Sequence, residues 1–360
     1  APFLNYEGRS PTSGAQSTPK PVCIPVKSIK TDINKIYNIS MLKKKSKVLI
    51  LCQVFYPDHV SVAQHVTDLA VDMVEDGFEV TVIAGRRAYD KPDCVYPAHD
   101  VYKGVNIKRL PVGGLGKKSK WFRIADAGIF LLNLVWHIFT SPRFDVVIGL
   151  TTPPLIALPG VLYCLFHKVQ FIYWVMDINP DEAIEAGLIK KVSVLANILN
   201  RISRFCFSKS THIIALDRFM LKRIEEKGIN PQNISVIPPW SHDDNIQNIP
   251  HDKNPFRKEY NLTGKFVIMY SGNHSLIHPL NTLLEAALRL RNDPRMIFLF
   301  VGGGVGVQDV LRFKEEHSLQ NILYLPYQPR EKLSYSLSAA DLHVVVMGNK
   351  FVGIVHPCKI

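Results

Sequence analysis

The feature that most limits what this chain can become is a unit that occurs twice: an apolar run of strand length, a short loop, an amphipathic helix and another apolar run. The first copy begins at residues 48–55 and is closed by Tyr56-Pro57-Asp58. Val62, Val66, Leu69, Ala70, Met73 and Val74 then recur at helical spacing as far as Gly77, and residues 79–84 form the next strand. Further strands are expected at 106–110, 145–150, 169–176, 211–216 and 234–237. A polar, proline-punctuated stretch follows from Pro238-Pro239-Trp240 to Pro250. The pattern then restarts with a strand at 266–271, a helix at 280–290, a strand at 296–301 ending in Gly302-Gly303-Gly304, and strands at 322–325 and 342–347. This alternation predicts an α/β chain of two doubly wound, Rossmann-like domains facing a central cleft. The expected divisions are a basic extension at 1–45, a first domain at 46–240, a linker at 241–254 and a second, incomplete domain at 255–360. Such sheets bind ligands outside the carboxyl ends of their strands, which places a site in the cleft.

The formal net charge of +12 is concentrated at one end. Residues 1–47 hold nine Lys/Arg and two acids, a balance of +7, which leaves +5 for the rest. The body is only mildly basic, so a nucleic-acid partner is not expected. The first 40 residues have no apolar core of signal-peptide length and are rich in Pro, Ser, Thr and Lys; they are expected to be disordered and outside the chemistry. The six cysteines show no zinc spacing and are expected to be reduced thiols. Residues 146–166 are nearly free of charge, but Pro153, Pro154 and Pro159 argue for a strand, a turn and a buried helix rather than a membrane span.

Four segments carry candidate chemistry. Tyr270-Ser271-Gly272-Asn273-His274 turns from a strand toward a helix, where backbone N–H groups at a helix N-terminus suit a diphosphate. An ordinary tight turn accounts for the same residues. Val301-Gly302-Gly303-Gly304-Val305-Gly306 allows close approach to a phosphate, and equally a flexible turn. It fits neither G-x-G-x-x-G nor a P-loop, which counts against a nicotinamide enzyme and an ATPase. In Trp174-Val175-Met176-Asp177, the aspartate ends an apolar strand, so its carboxylate either projects into the cleft toward sugar hydroxyls or an acceptor, or caps the helix near Pro180. Lys117, Lys118, Lys120, Trp121, Phe122 and Arg123 precede an apolar helix. This basic, aromatic lip suits an anionic membrane surface, and also a solvated loop beside a core-facing helix. No D-x-D triplet, G-x-S-x-G or H-E-x-x-H occurs.

Residues 268–274 with His278-Pro279-Leu280 and Asn281-Thr282-Leu283-Leu284-Glu285-Ala286 resemble the donor-domain opening of the bacterial family-4 retaining glycosyltransferases. The Gly302–Gly304 turn, Asn321 to Tyr327, Ala339-Ala340-Asp341, Phe55-Tyr56-Pro57 with Gln64, and Val236-Ile237-Pro238-Pro239-Trp240 are similar to that family too. The resemblance implies the GT-B fold and retaining, metal-independent transfer of a sugar from a UDP- or GDP-sugar, with no cofactor, to a lipid-linked or saccharide acceptor. It also implies a role in cell-surface polysaccharide biosynthesis, at the cytoplasmic face of the inner membrane. By position, Gly272, Asn273 and His274 would line the donor phosphates and sugar, Gly303 would lie under the nucleotide and Tyr327 beside the base. Asp177 would face the sugar or acceptor, Gln64 would lie on the acceptor side, and Lys359 of His356-Pro357-Cys358-Lys359 would approach the diphosphate. The first loop departs from the family by Ser61-Val62-Ala63 in place of Gly-Gly, and the family's residues beyond Lys359 do not follow here. A sugar-nucleotide epimerase and a non-catalytic membrane-surface partner are the other readings.

Overall fold

The computed structural model describes residues 45–58, 60–89, 93–113, 120–240 and 246–357, without the side chains of 120, 121, 123, 124 and 330. The basic extension up to residue 44, Lys117, Lys118, the side chains of Lys120, Trp121 and Arg123, residues 241–245 of the linker, and Lys359 therefore lie outside the described residues.

Among the described residues, twelve strands form two sheets. The first takes β1 (Lys47–Leu51), β2 (Glu79–Gly85), β3 (His99–Tyr102), β4 (Val105–Leu110), β5 (Val146–Gly149), β6 (Gln170–Trp174), β7 (His212–Ala215) and β8 (Ile234–Val236), in the order β3-β4-β2-β1-β5-β6-β7-β8. β1 is central and buried after Lys47; its Ile50 pairs with Val82 on one side and Ile148 on the other, both in parallel register. The second sheet takes β9 (Phe266–Ser271), β10 (Met296–Val301), β11 (Ile322–Leu325) and β12 (Leu342–His343), all parallel, in the order β11-β10-β9-β12. In each sheet the strand order reverses beside the first strand, between β1 and β5 and between β9 and β12. The loops after β1, β5 and β9 therefore open into the crevice where doubly wound sheets take ligands.

The helices follow from local chemistry. α1 (Ser61–Glu75) turns its apolar stripe onto the sheet and stops at Gly77, whose φ of +95° suits the left-handed C-terminal position. α2 (Lys120–Thr140) and α3 (Ala157–His167) cover one face of the sheet. Gly149 on β5 and Gly160 on α3 leave a slot for the Phe171 ring; a Cβ at either would lie 2.6 Å from it. After α4 (Asp181–Glu185), Ser193 caps α5 (Val194–Lys209) by accepting from the Ala196 amide at 3.1 Å, and Asp217 caps α6 (Arg218–Glu225) by accepting from Met220 at 2.7 Å. α7 (Pro255–Glu259), α8 (Asn281–Arg289), α9 (Val307–Glu316) and α10 (Leu333–Leu337) surround the second sheet.

Residues 146–166 form β5, a turn and α3, as the prolines predict. Burial of that helix is one-sided, however: Val161, Tyr163 and Cys164 face the core while Leu162, Leu165 and Phe166 are exposed. β3 was not expected. It is a short, half-exposed antiparallel edge strand whose place is set by pairing with β4. The expected strand at 342–347 shortens to two residues, although Val344 still donates to the Met269 carbonyl at 2.8 Å.

Candidate functional site

At the carboxyl end of the second sheet, the loops after β9 and β10 are closed on one another. The Gly272 amide donates to Val301 O at 2.9 Å, His274 to Gly303 O at 2.7 Å, and Gly306 to His274 O at 2.8 Å. Gly302 and Gly304 have φ of +136° and +128°, and a Cβ on either would run into the first loop: at Gly302 into the Gly272 carbonyl, at Gly304 into Asn273 Oδ1. Glycine is needed here both for backbone angle and for closeness. Among the described residues, the backbone N–H groups of Asn273, Gly303, Gly304 and Val305 meet no acceptor. They gather just before α9, where the helix dipole is positive. Tyr327, exposed by 62%, lies against Gly303, with its ring 3.0 Å from the point where a Cβ would stand.

His274 has a different place from its neighbours. Its imidazole is fully buried, Nδ1 donates to Gly272 O at 3.0 Å, and the ring meets Tyr270 edge-on at 5.0 Å. The side chain braces the turn from beneath, while Asn273 is exposed above it. Tyr270 adds a second brace, its hydroxyl donating to Asn273 O at 2.8 Å. Asp341, from the Ala339-Ala340-Asp341 motif, is also structural: its Oδ2 accepts from the Val267 amide at 2.8 Å and from the buried Arg257 at 3.2 Å, tying β9 to the chain entering β12.

Asp177 stands beyond the carboxyl end of β6 in the first sheet. α4 has Pro180 at its N-cap and no side-chain capping bond, so Asp177 is not the cap. Its carboxyl makes no hydrogen bond or ion pair among the described residues. Burial, reinforced by the charge of Glu182, raises its pKa well above the usual carboxylate range. Gln64 is half-buried in the first turn of α1. The helix is tied to the sheet one turn further on through Trp240, whose Nε1 donates to Asp68 at 3.0 Å and whose ring stacks on Trp174 of β6 at 5.7 Å. Trp174 Nε1 and Thr151 Oγ1 are buried there without a hydrogen-bond partner among the described residues.

Gly272, Asn273, His274, Gly303 and Tyr327 thus come together on one sheet, and Asp177 and Gln64 belong to the other. Residues 348–356 run between the two. Gly348 donates to Ile277 O at 2.9 Å on the second sheet's side. Ile178 then donates to Ile354 O at 2.8 Å, Asp177 bridges Val355, and Arg223 Nε donates to Val352 O at 3.1 Å. His356 Nδ1 donates to Asp217 at 2.8 Å. Burial alone would raise the Asp217 pKa, but hydrogen bonds from His356 and the Met220 amide, and the His356 charge, outweigh it and hold that carboxyl below its ordinary value. The Asp217–His356 and Trp174–Trp240 pairs carry no sequence signal, because their members are far apart in the chain.

The model of the glycosyl transferase 4-like domain matches residues 61–240. The probable glycosyltransferase WbjE of Pseudomonas aeruginosa is 26% identical over 286 residues, 78% of this chain and 68% of that protein. The putative colanic acid biosynthesis glycosyl transferase WcaI of Escherichia coli K12 is 24% identical over 330 residues, 87% of this chain and 80% of that protein. The crystal structure of Anabaena Alr3699/HepE in complex with UDP superposes with a TM-score of 0.58 at 14% identity, covering 82% of this chain and 73% of that one. The fold is that of the GT-B glycosyltransferases.

Proposed function

This chain belongs to the glycosyl transferase 4-like family; from that membership and the geometry above, we propose that it moves a sugar from a nucleoside diphosphate sugar to an acceptor hydroxyl with retention and without a metal, in cell-surface polysaccharide biosynthesis. One observation carries the reading. Four backbone N–H groups, at Asn273, Gly303, Gly304 and Val305, meet no acceptor among the described residues and lie beside a helix N-terminus on two glycine turns packed too closely for a side chain at Gly302 or Gly304. Fixed donors of this kind stabilise the charge that grows on a departing diphosphate. The bond from the sugar's anomeric carbon to the diphosphate oxygen breaks, the bond to the acceptor oxygen forms on the same face, and the departing oxygen takes the acceptor's proton. The protein's task is then positioning and charge stabilisation.

In this reading Asn273, Gly272 and Gly303 contact the donor, His274 holds the turn from below, and Tyr327 borders the base of a UDP- or GDP-sugar. Lys359 would approach the diphosphate, as the family resemblance implies. Asp177 faces the sugar or acceptor from the first sheet, and Gln64 lies on the acceptor side. Residues 46–240 are the acceptor-side portion and 255–360 the donor portion. HepE supplies a parallel, having been crystallised with UDP-glucose. A lipid-linked acceptor at the inner membrane face is supported by α2, where Leu132 and Trp136 are 74% and 70% exposed. Lys117, Lys118, Lys120, Trp121, Phe122 and Arg123 would flank that contact.

The test is titration with UDP-glucose and GDP-mannose, then transfer assays with and without a chelator and assignment of the product anomer. Asn273→Ala should weaken donor binding by up to about tenfold, the scale of one hydrogen bond, at unchanged melting temperature. Donor affinity that ignores Asn273→Ala and Gly304→Ala alike would remove the phosphate site from these turns. An inverted product or loss of activity on chelation would overturn retention or metal independence.

A further inference from the structure

We infer that the hollow between α5 and α6 takes the phosphate-bearing head group of an anionic membrane lipid, at the margin of an apolar face made by α2, α3 and α5. This deepens the membrane reading above with a basic hollow that reading does not use, and it does not depend on which sugar is transferred.

The hollow measures about 540 Å³. α5 contributes Asn197, Asn200, Arg201 and Arg204 to it; α6 and the turn after it contribute Arg223 and Lys227. Two acids share the wall. Asp181 is taken by Lys227 at 2.6 Å, and Glu226 is exposed. Arg223 is held by the Val352 carbonyl, while Arg201 and Arg204 make no hydrogen bond or ion pair among the described residues. Two guanidinium forks and two side-chain amides thus line one hollow with donors to spare, a set that matches the several oxygens of a phosphate.

α5 is the seam between this hollow and an apolar surface. At 100° per residue, Asn197, Asn200, Arg201 and Arg204 fall on one flank of the helix. Leu195, Ile198 and Val194 fall across its crest and other flank, and all three are exposed. α5 packs on α3, and α3 on α2. The apolar crest therefore continues into Phe166 of α3 and Leu132 and Trp136 of α2. Val192, just before α5, is 93% exposed. An exposed apolar surface spread over three helices marks an interaction site. Charge says which partner it fits: from residue 186 to 209 the chain has five Lys/Arg and no acid. Apolar crest, cationic margin and a hollow with room for a whole phosphate-bearing head group side by side match acyl chains, anionic surface and head group.

The experiment uses the full chain and two vesicle types, phosphatidylcholine alone and phosphatidylcholine with phosphatidylglycerol, with binding read by co-sedimentation. The chain should bind the anionic vesicles. Arg201→Gln/Arg204→Gln should weaken that binding about 30-fold, at roughly fivefold for each cation near such a surface, with UDP-glucose titration unchanged as a check on folding. Lys258→Gln/Arg289→Gln removes the same charge from the second sheet's side, and should have a much smaller effect. Equal loss in the two variants would overturn the site. Inorganic diphosphate bound through Arg201 and Arg204, without vesicle binding, would mean a free-anion site and overturn the lipid assignment. Binding lost on neutralising Lys117, Lys118, Lys120 and Arg123 but indifferent to Arg201 and Arg204 would overturn this inference and leave the α2 reading standing.

Discussion

Asp177 combines a cleft position with a carboxyl that has no hydrogen-bond or ion-pair partner among the described residues, and the combination has two measurable sides. Its pKa is raised by burial first and the Glu182 charge second. A carboxyl raised in the native state adds nothing unfavourable below the ordinary value of about 4, and weakens the fold as pH climbs through the native value. Asp177→Asn should therefore melt higher than the wild type at neutral pH, with the gap closing in acid. In the same variant turnover should fall about tenfold or more, equivalent to roughly 1.4 kcal/mol of barrier. Unchanged kinetics would remove Asp177 from the chemistry, and a melting gap independent of pH would remove the carboxyl as its cause. Gly302→Ala is the opposite case. Its φ of +136° and its closeness to the Gly272 carbonyl should cost roughly 1–3 kcal/mol of stability, along with donor binding. Full stability in thermal melts would show that the two loops part easily.

The amphipathic elements divide into those that bury one face and those that leave apolar residues outside. α2 buries Phe130, Leu134 and Ile138, yet exposes Leu132, Val135, Trp136 and Phe139 on the far side. No helix among the described residues is long and apolar enough to cross a membrane. Leu132→Ser/Trp136→Ser should accordingly reduce vesicle binding severalfold without lowering the melting temperature, since surface changes away from packing cost within about 0.5 kcal/mol. A large drop in melting temperature would instead mean that the residues pack on the protein. Elements buried on both faces were the legible ones. β9 and β10 span the very runs 266–271 and 296–301, because continuous apolar runs have no other way to avoid water. β3 was illegible since its four residues, half exposed on an edge, take their conformation from β4. At the site, the sequence pointed to both glycine turns. It said nothing of His274 facing inward, because only the packing of Tyr270, Phe300 and Tyr324 around the ring decides that.

The whole molecule is two sheets joined by the chain that follows β8 and, among the described residues, tied again by residues 348–356, hydrogen-bonded to Ile277 at one end and to Ile178 at the other. The far end also depends on Asp217 and His356. Because the Asp217 carboxyl is held below its ordinary pKa, its contribution is present above the unfolded value and is lost as pH falls through the native one. Protection of the Ile178 amide, taken relative to the intrinsic exchange rate at each pH, should therefore fall on acidification, and Asp217→Asn should bring that loss of protection to neutral pH. Protection at Ile178 that persists in both conditions would show that the pair does not hold the tie. Length gives this segment a second role. From Gly348 to Ile354 the chain can reach at most about 20 Å when fully extended. The tie is thus a leash as well as a strap: the two lobes can swing apart only as far as it pays out, and any wider gape must first snap a hydrogen bond at the lip of one sheet. Whatever enters or leaves between the lobes passes through an aperture whose width is written into six peptide units.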